Sequence, residues 1–170
     1  MEINKISKIC NKKYTLKNKV RNNGFLYKNW RENCQNDFNK LPIYWAFGEK
    51  QFQELLKKLN LNDTKEDLKK LVNVGYGGIM RKCDTYLLDA HNHTFSNEIL
   101  LFWMKNNFQF AYSAFRYEMN NHEYYITYDI TETLGALGLT FEEVQKNGLL
   151  KLAFLRAKKD YWNACNALNY

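Results

Sequence analysis

Apolar residues recur every three or four positions along several stretches of the chain, which is the spacing of one face of an α-helix. The first stretch covers about 26–41 and predicts a helix that ends before Pro42, the single proline of the sequence. The same spacing predicts a helix over Glu49–Leu59 and another over about 63–71. The first half of the chain is therefore predicted to be largely helical.

Three short apolar segments have the length and the residue types of β-strands instead. They are Ile43–Phe47, 72–74 and 79–82, and the last two flank Gly75-Tyr76-Gly77-Gly78. Glycines tolerate the positive φ angles of a tight hairpin turn. A phosphate-binding loop would open a helix and place Lys and then Ser or Thr after its last glycine, whereas Ile79 and Met80 follow here. The pattern therefore favours a hairpin.

The second half of the chain is predicted to be helical throughout. One helix begins after Asp84 and is interrupted at about 92–96. The next, over about 107–121, carries two apolar stripes, and a helix that is apolar on two sides lies inside a domain. Three more helical segments are predicted at 130–136, 140–145 and 149–168.

Ser, Thr, Asp and Asn before a helix, with a carboxylate three residues later, are typical of capping boxes, and glycine is typical of a helix end. The predicted N-terminal caps are Thr64 with Asp67, Asp84, Asp129, and Thr140 with Glu143. Gly138 is the predicted stop between the last two short helices.

These elements predict a mainly helical α+β fold. We expect a small antiparallel β element, packed beside a helical bundle whose buried central helix covers about 107–121. The length of 170 residues fits one domain of ordinary size. We expect residues 1–41 to be a basic Lys- and Asn-rich lead-in with a docked helix, and residues 42–170 to form a single globular α+β domain.

The net charge of +7 is concentrated in the first quarter of the chain. Residues 1–40 contain ten Lys or Arg and three acidic residues, whereas residues 41–170 contain fifteen of each sign. Such a segment can neutralise phosphates and release counterions. The candidate nucleic-acid contacts are Lys5, Lys8, Lys12, Lys13, Lys17, Lys19 and Arg21. The excess of Lys over Arg is also what AT-rich coding produces, so a purely compositional origin stays open.

The chain carries no apolar run long enough for a membrane-spanning helix and no apolar core of a secretory signal near its start. We therefore expect a cytoplasmic protein, in the host cell if the gene is carried by a phage. The four cysteines are far apart and lack C-x-x-C spacing, so we expect free thiols. Cys165 falls on the apolar stripe of the last helix and is interpreted as core.

The candidate metal ligands are Cys83, Asp89, His91, His93 and His122, since thiolate, carboxylate and imidazole bind zinc. Residues two apart on a helix point in different directions, and His91 lies on an apolar stripe. A buried structural histidine is therefore preferred to a zinc ligand. A metal hydrolase built on His91, His93 and His122 is the third functional hypothesis.

Asn121-His122-Glu123 raises a similar choice between a site and a structural corner. His122 and Glu123 could act as a general base pair, but adjacent helical residues do not face each other. The corner is preferred. No nucleophile elbow, metalloprotease motif or phosphate loop is found, so we expect no catalytic residues, no metal and no cofactor.

An interaction surface is the better supported alternative. The chain holds more aromatic residues than a small core can enclose, and Tyr, Trp and Arg anchor protein interfaces. The predicted partner-binding residues are Trp45, Arg81, Arg116, Tyr124, Tyr125 and Tyr128.

Several short motifs together resemble a family of small proteins of unknown function carried by phages and plasmids of low-GC bacteria. The motifs are Tyr44-Trp45-Ala46-Phe47 with Gln51-Phe52, Gly77-Gly78 with Lys82, Asn121-His122-Glu123-Tyr124, Asp129, and Leu137-Gly138-Leu139-Thr140. The similarity covers about residues 43–160 and implies no catalytic residues. Small accessory proteins of such elements often counter host defence, anti-CRISPR inhibitors included.

The resemblance therefore implies a non-enzymatic accessory protein that inhibits a host defence nuclease of the CRISPR type by direct binding. The expected partner is that nuclease or its nucleoprotein complex, and no membrane is involved. Nucleic-acid binding through the basic segment is the second hypothesis.

Overall fold

The computed structural model describes residues 26–168. The seven basic residues proposed to contact phosphates, and Cys10, lie outside this range. The helices are α1 Tyr27–Phe38, α2 Glu49–Leu59, α3 Lys65–Leu68, α4 Thr85–Thr94, α5 Asn97–Asn106, α6 Phe108–Asn121, α7 Tyr124–Thr127, α8 Thr131–Ala136, α9 Phe141–Lys146 and α10 Gly148–Ala167. The strands are β1 Tyr44–Trp45, β2 Leu71–Gly75 and β3 Gly78–Arg81.

The predicted α+β class with a dominant helical content is confirmed. The three strands form one antiparallel sheet in the order β1-β3-β2. Tyr44 pairs with Ile79, Val72 pairs with Met80, and a register irregularity lies between Asn73 and Gly75. The glycine-rich segment connects β2 to β3, so the hairpin prediction is confirmed.

The described residues divide into two compact units. The helical unit consists of residues 26–31 and 97–168, and the sheet unit consists of residues 32–96. The predicted boundary at residue 41 stays a prediction. Within the described residues, no helix has the length and apolar character needed to cross a membrane.

The helical unit is built around α6, as predicted for the central helix. Its buried side chains are Phe110, Ala111, Ala114, Phe115, Glu118 and Met119. The long helix α10 packs against α6 and buries Leu150, Phe154 and Tyr161, among others. The ring of Phe154 meets Phe115 edge to face at 5.4 Å between centroids. Burial of these large side chains supplies most of the stabilisation of the unit.

One carboxylate lies inside this core. Glu118 is buried, and its Oε1 accepts a hydrogen bond from the Tyr27 hydroxyl at 2.6 Å. The amide Nδ2 of Asn121 donates to its other oxygen at 3.1 Å. These two donors satisfy a group that would otherwise cost several kcal/mol to bury, so they explain how a glutamate occupies the centre of the unit.

Two of the predicted N-terminal caps form as expected and two do not. Thr140 and Glu143 make a complete capping box at α9, and Thr64 accepts from the Asp67 N–H. Asp84 precedes α4 but makes no side-chain cap, because a 3₁₀ turn over Lys82–Asp84 leads directly into the helix. The predicted cap at Asp129 is also wrong, because Ile130 is the N-cap of α8. The Asp129 carboxylate instead accepts from the Thr131 N–H at 2.8 Å.

Candidate interaction surface

Three aromatic side chains project from the sheet unit around the hairpin turn. Trp45 is 49% exposed, Phe47 is 74% exposed and Tyr76 is 97% exposed. The rings of Trp45 and Phe47 stack nearly parallel, with centroids 6.4 Å apart. We call these three residues the hairpin patch. Exposed aromatic side chains that lie close together in this way are typical of interaction sites, and Trp45 and Phe47 meet that description.

The backbone beneath the hairpin patch is fixed by local contacts. The Ala46 N–H donates to the Gly77 carbonyl at 2.9 Å, and the Phe47 N–H donates to Gln51 Oε1 at 2.7 Å. Gly77 has φ +81°, and an added Cβ would lie 2.9 Å from the Phe47 ring. Tyr76 itself holds φ +50°, which is uncommon for a residue other than glycine. Tyr76 therefore projects from a turn that only a small set of sequences permits, and Phe47 lies against the Gly77 of that turn.

A second aromatic cluster lies in the helical unit, where α7 packs on α10. The Trp162 ring lies 4.7 Å from Tyr125 and 5.3 Å from Tyr128, measured between centroids. The Tyr125 hydroxyl donates to Asn166 Oδ1 at 3.1 Å, and Tyr128 is exposed. The sequence reasoning missed Trp162, although its position next to Tyr161 in α10 put it at the edge of the buried stripe.

Two of the predicted partner-binding residues, Tyr124 and Arg116, are buried or half-buried. Tyr124 is buried, because its ring packs against Tyr161 and Trp162. It belongs to the core of the helical unit rather than to its surface. The guanidinium of Arg116 lies over the Tyr161 ring at 5.6 Å, so Arg116 is half-buried in the same core. Arg81 is exposed, and its Nη2 donates to the Leu59 carbonyl at 3.0 Å at the C-terminal end of α2, so its role in partner binding stays a prediction.

His91 is buried, as its place on the apolar stripe of its helix predicts. The imidazole is buried between the rings of Phe38 and Phe95, at 5.5 and 5.1 Å. Its Nδ1 lies 3.3 Å from Asp37 Oδ2, and its Nε2 lies 3.9 Å from the Cys34 sulfur. His93, two residues later on α4, is exposed, so the two rings do not share a face.

His122 ends α6, as the corner interpretation predicts. Its Nε2 lies 3.6 Å from Glu118 Oε2, and its Nδ1 lies 3.4 Å from Glu132 Oε2. Glu123 follows with φ +48° and begins the short helix α7. The carboxylates that face the imidazole are therefore those of Glu118 and Glu132.

The remaining candidate metal ligands in the range 26–168 are cysteines and acidic residues. Cys34, Cys83 and Cys165 are free of disulfide bonds, as expected. Cys165 is half-buried, so the predicted core position is only partly enclosed. Over the described part of the chain, no group of three or more His, Cys, Asp or Glu residues has the arrangement of a metal site.

Comparison with protein families finds a family model that matches the chain. The model of DUF7659, a family of unknown function, matches residues 26–160. The chain belongs to this family. The DUF7659 match includes both aromatic surfaces except Trp162. It begins at residue 26 rather than at the predicted residue 43, so it also includes α1. No curated protein and no solved structure matched.

Proposed function

We propose that this DUF7659 protein is a non-enzymatic binding protein that contacts a partner protein through the hairpin patch. The observation that carries the proposal is the exposure of the stacked Trp45 and Phe47 rings and of Tyr76 at the turn between β2 and β3. Aromatic side chains on a rigid support lose little conformational entropy on binding, and Trp and Tyr dominate the binding energy of protein interfaces.

The charge of the sheet unit favours a protein over a nucleic acid as the occupant of this patch. Residues 32–96 contain nine Lys or Arg and nine Asp or Glu. Nucleic-acid affinity comes largely from an excess of cations near the phosphates, and this unit has none. The hairpin patch therefore fits an apolar protein surface.

The finer proposal concerns the identity of the partner, which we take to be a host defence nuclease of the CRISPR type. It is supported by the resemblance of the sequence motifs to small proteins of phages and plasmids. An inhibitor of this kind acts by occupying a surface that the nuclease needs, which requires a binding patch and no catalytic residues.

A double variant, Trp45→Ala with Tyr76→Ser, tests the proposal by affinity capture from a bacterial host lysate. Tyr86→Ser is the matched control, since Tyr86 is a half-exposed aromatic residue of the sheet unit outside the patch. Loss of two interface anchors of about 2 kcal/mol each would weaken binding by several hundredfold, so the double variant should retain no partner.

The retained protein is then purified, and its nuclease activity is measured with each variant. Inhibition by the wild type and by Tyr86→Ser, and not by the double variant, is the expected result. Equal retention of the same protein by all three chains would contradict the proposed patch. A retained partner without nuclease activity would contradict only the finer proposal.

Nucleic-acid binding through the first 25 residues is the second candidate. The supporting observation is their charge, with seven Lys or Arg and one acidic residue. This function would use a different part of the chain from the hairpin patch, so the two candidates can be tested separately.

A further inference from the structure

One face of α10 is exposed although it carries apolar side chains. Leu152 is 63% exposed and Leu155 is 50% exposed. Arg156 and Lys159 are exposed on the same face, because residues three, four and seven apart are neighbours on a helix. The opposite face, which includes Leu150, Phe154 and Tyr161, packs into the core of the helical unit.

This exposed face borders a groove in the helical unit. The groove has a volume of about 590 Å³ and is lined by Phe108, Gln109, Tyr112, Leu152, Arg156 and Asp160. The rings of Phe108 and Tyr112 stack along one wall, 6.4 Å apart and nearly parallel. We call this region, together with Leu155 and Lys159, the α10 groove. Its volume is within the range of ligand-binding pockets in proteins.

Basic residues outnumber acidic residues in the α10 groove. The single acid, Asp160, is engaged within the groove, since its Oδ2 accepts from Arg156 Nε at 2.7 Å and from the Tyr112 hydroxyl at 3.0 Å. The Arg156 guanidinium beside it lowers the pKa of Asp160 below its ordinary value. Lys159 is exposed, and the Arg156 side chain stays largely exposed despite its ion pair with Asp160. The α10 groove therefore carries two cations and one acid beside its apolar side chains.

We propose that the α10 groove binds an acidic amphipathic helix of a partner protein. The apolar side chains of that helix lie against Leu152, Leu155 and Phe108. Its acidic side chains pair with Arg156 and Lys159. This is helix-in-groove recognition, in which anchors spaced by three and four residues enter the hollow between two packed helices. The surface differs from the hairpin patch in position and in the chemistry of its partner.

Other anionic partners fit this groove less well. A nucleic acid would leave both exposed leucines without apolar partners. An anionic membrane would need a broader apolar face than two leucines and one phenylalanine provide.

The probe for the test is a fluorescein-labelled synthetic peptide of about five helical turns. It carries Leu along one face and Glu on both sides of that face. A second peptide of the same composition, with its Leu residues distributed around the helix, is the negative probe. Binding is followed by fluorescence anisotropy with the full chain.

The expected result is saturable binding of the amphipathic probe to the wild type, and affinity at least about tenfold lower for Leu155→Ser and for Lys159→Glu, a loss of about 1.4 kcal/mol. Lys65→Glu, which makes the same charge change on an exposed residue of the sheet unit, should bind as the wild type does. Unchanged far-UV circular dichroism of each variant establishes that the fold is intact.

Three outcomes would overturn the proposal. The first is equal affinity for the two peptides, and the second is wild-type affinity in both groove variants. The third is stronger binding to phosphatidylglycerol vesicles or to single-stranded DNA than to the amphipathic peptide.

Discussion

At the scale of single residues, the most consequential contact is the hydrogen bond from Tyr27 to the buried Glu118 carboxylate. Tyr27 also packs its ring against Trp30 and Phe110, so α1 is attached to α6 by apolar and polar contacts together. Burying a carboxylate without a hydrogen-bond donor costs free energy, and the Tyr27 hydroxyl supplies such a donor.

A variant that lacks only this hydroxyl measures its contribution to the free energy of unfolding. Tyr27→Phe keeps the ring and leaves Glu118 Oε1 without its donor, so the free energy of unfolding should fall by about 1–3 kcal/mol. Tyr86→Phe, at an exposed position, should change it by less than about 0.5 kcal/mol. Urea unfolding followed by circular dichroism makes the comparison. Equal stability of the two variants would show that the hydroxyl contributes nothing.

The same hydroxyl predicts a dependence of stability on pH. Burial, with Glu118 adding to it, raises the pKa of Tyr27 above that of an ordinary tyrosine. The folded chain therefore holds this proton more tightly than the unfolded chain does. Its contribution is complete below the unfolded pKa of about 10 and is lost as the pH rises toward the folded pKa.

Burial also raises the pKa values of Tyr112 and Tyr161, so the wild type should lose stability above about pH 10 by more than one route. The difference in free energy of unfolding between wild type and Tyr27→Phe isolates the contribution of Tyr27. We expect the two free energies of unfolding to converge as the pH is raised above about 10, and a difference that stays constant there would be evidence against the shift at Tyr27.

Burial of individual aromatic residues was the least predictable property at this scale. Tyr124, Tyr125 and Tyr128 look alike in the sequence, yet Tyr124 is buried and Tyr128 is exposed. Their directions depend on α7, which begins and ends at the left-handed residues Glu123 and Tyr128. Residues other than glycine in that conformation leave no recognisable pattern, so the sequence cannot orient these rings.

At the scale of elements, helix ends were predictable where the signal was local. The capping box of Thr140 and Glu143 and the whole of α2 follow from residues within a few positions of each other. Asp84 occupies the N-cap position without a side-chain cap because a 3₁₀ turn leads into its helix, whereas α8 begins one residue later than predicted, with Ile130 as its N-cap. The helices were therefore easier to predict from neighbouring residues than the connections between them.

Two glycines on either side of the end of α8 give opposite predictions. Gly138 has φ +64°, and an added Cβ would lie 2.5 Å from Asn97 Nδ2, so Gly138→Ala should destabilise the protein by about 1–2 kcal/mol or more. Gly135 lies within α8 with open space around its Cα, so Gly135→Ala should stabilise it by about 0.5–1 kcal/mol.

Thermal unfolding of both variants against the wild type is the measurement. The opposite sign of the two shifts in Tm is the result that depends on the structure. If both variants shift Tm in the same direction, the assigned end of α8 is wrong.

At the scale of the whole molecule, the sequence predicted the fold class and showed an uneven distribution of charge. The α+β class follows from the periodicities, since strands of a few residues and helices of ten or more are distinguishable by length. The division into units at residues 31–32 and 96–97 was not predicted. The chain has no composition change at these positions, and contacts between distant segments determine such boundaries.

Charge distribution gives a prediction for the complete chain. If the first 25 residues bind nucleic acid, replacing Lys5, Lys8, Lys12, Lys13, Lys17, Lys19 and Arg21 with Gln should abolish binding to a fluorescent DNA duplex. The wild type should lose affinity as salt rises, with a slope of about −0.9 for each phosphate neutralised. Replacing seven Lys of the described part of the chain is the matched control. Equal loss in both variants would mean that only net charge matters.

The position of Tyr76 at the tip of the hairpin has a practical consequence for chemical labelling. Among the tyrosines of the described residues it has the most accessible phenol ring, at 97% exposure. A reagent such as tetranitromethane, which modifies phenols according to access, should nitrate this position first. Its protection in a complex would then report, on a mass spectrum, whether a binding partner covers the turn.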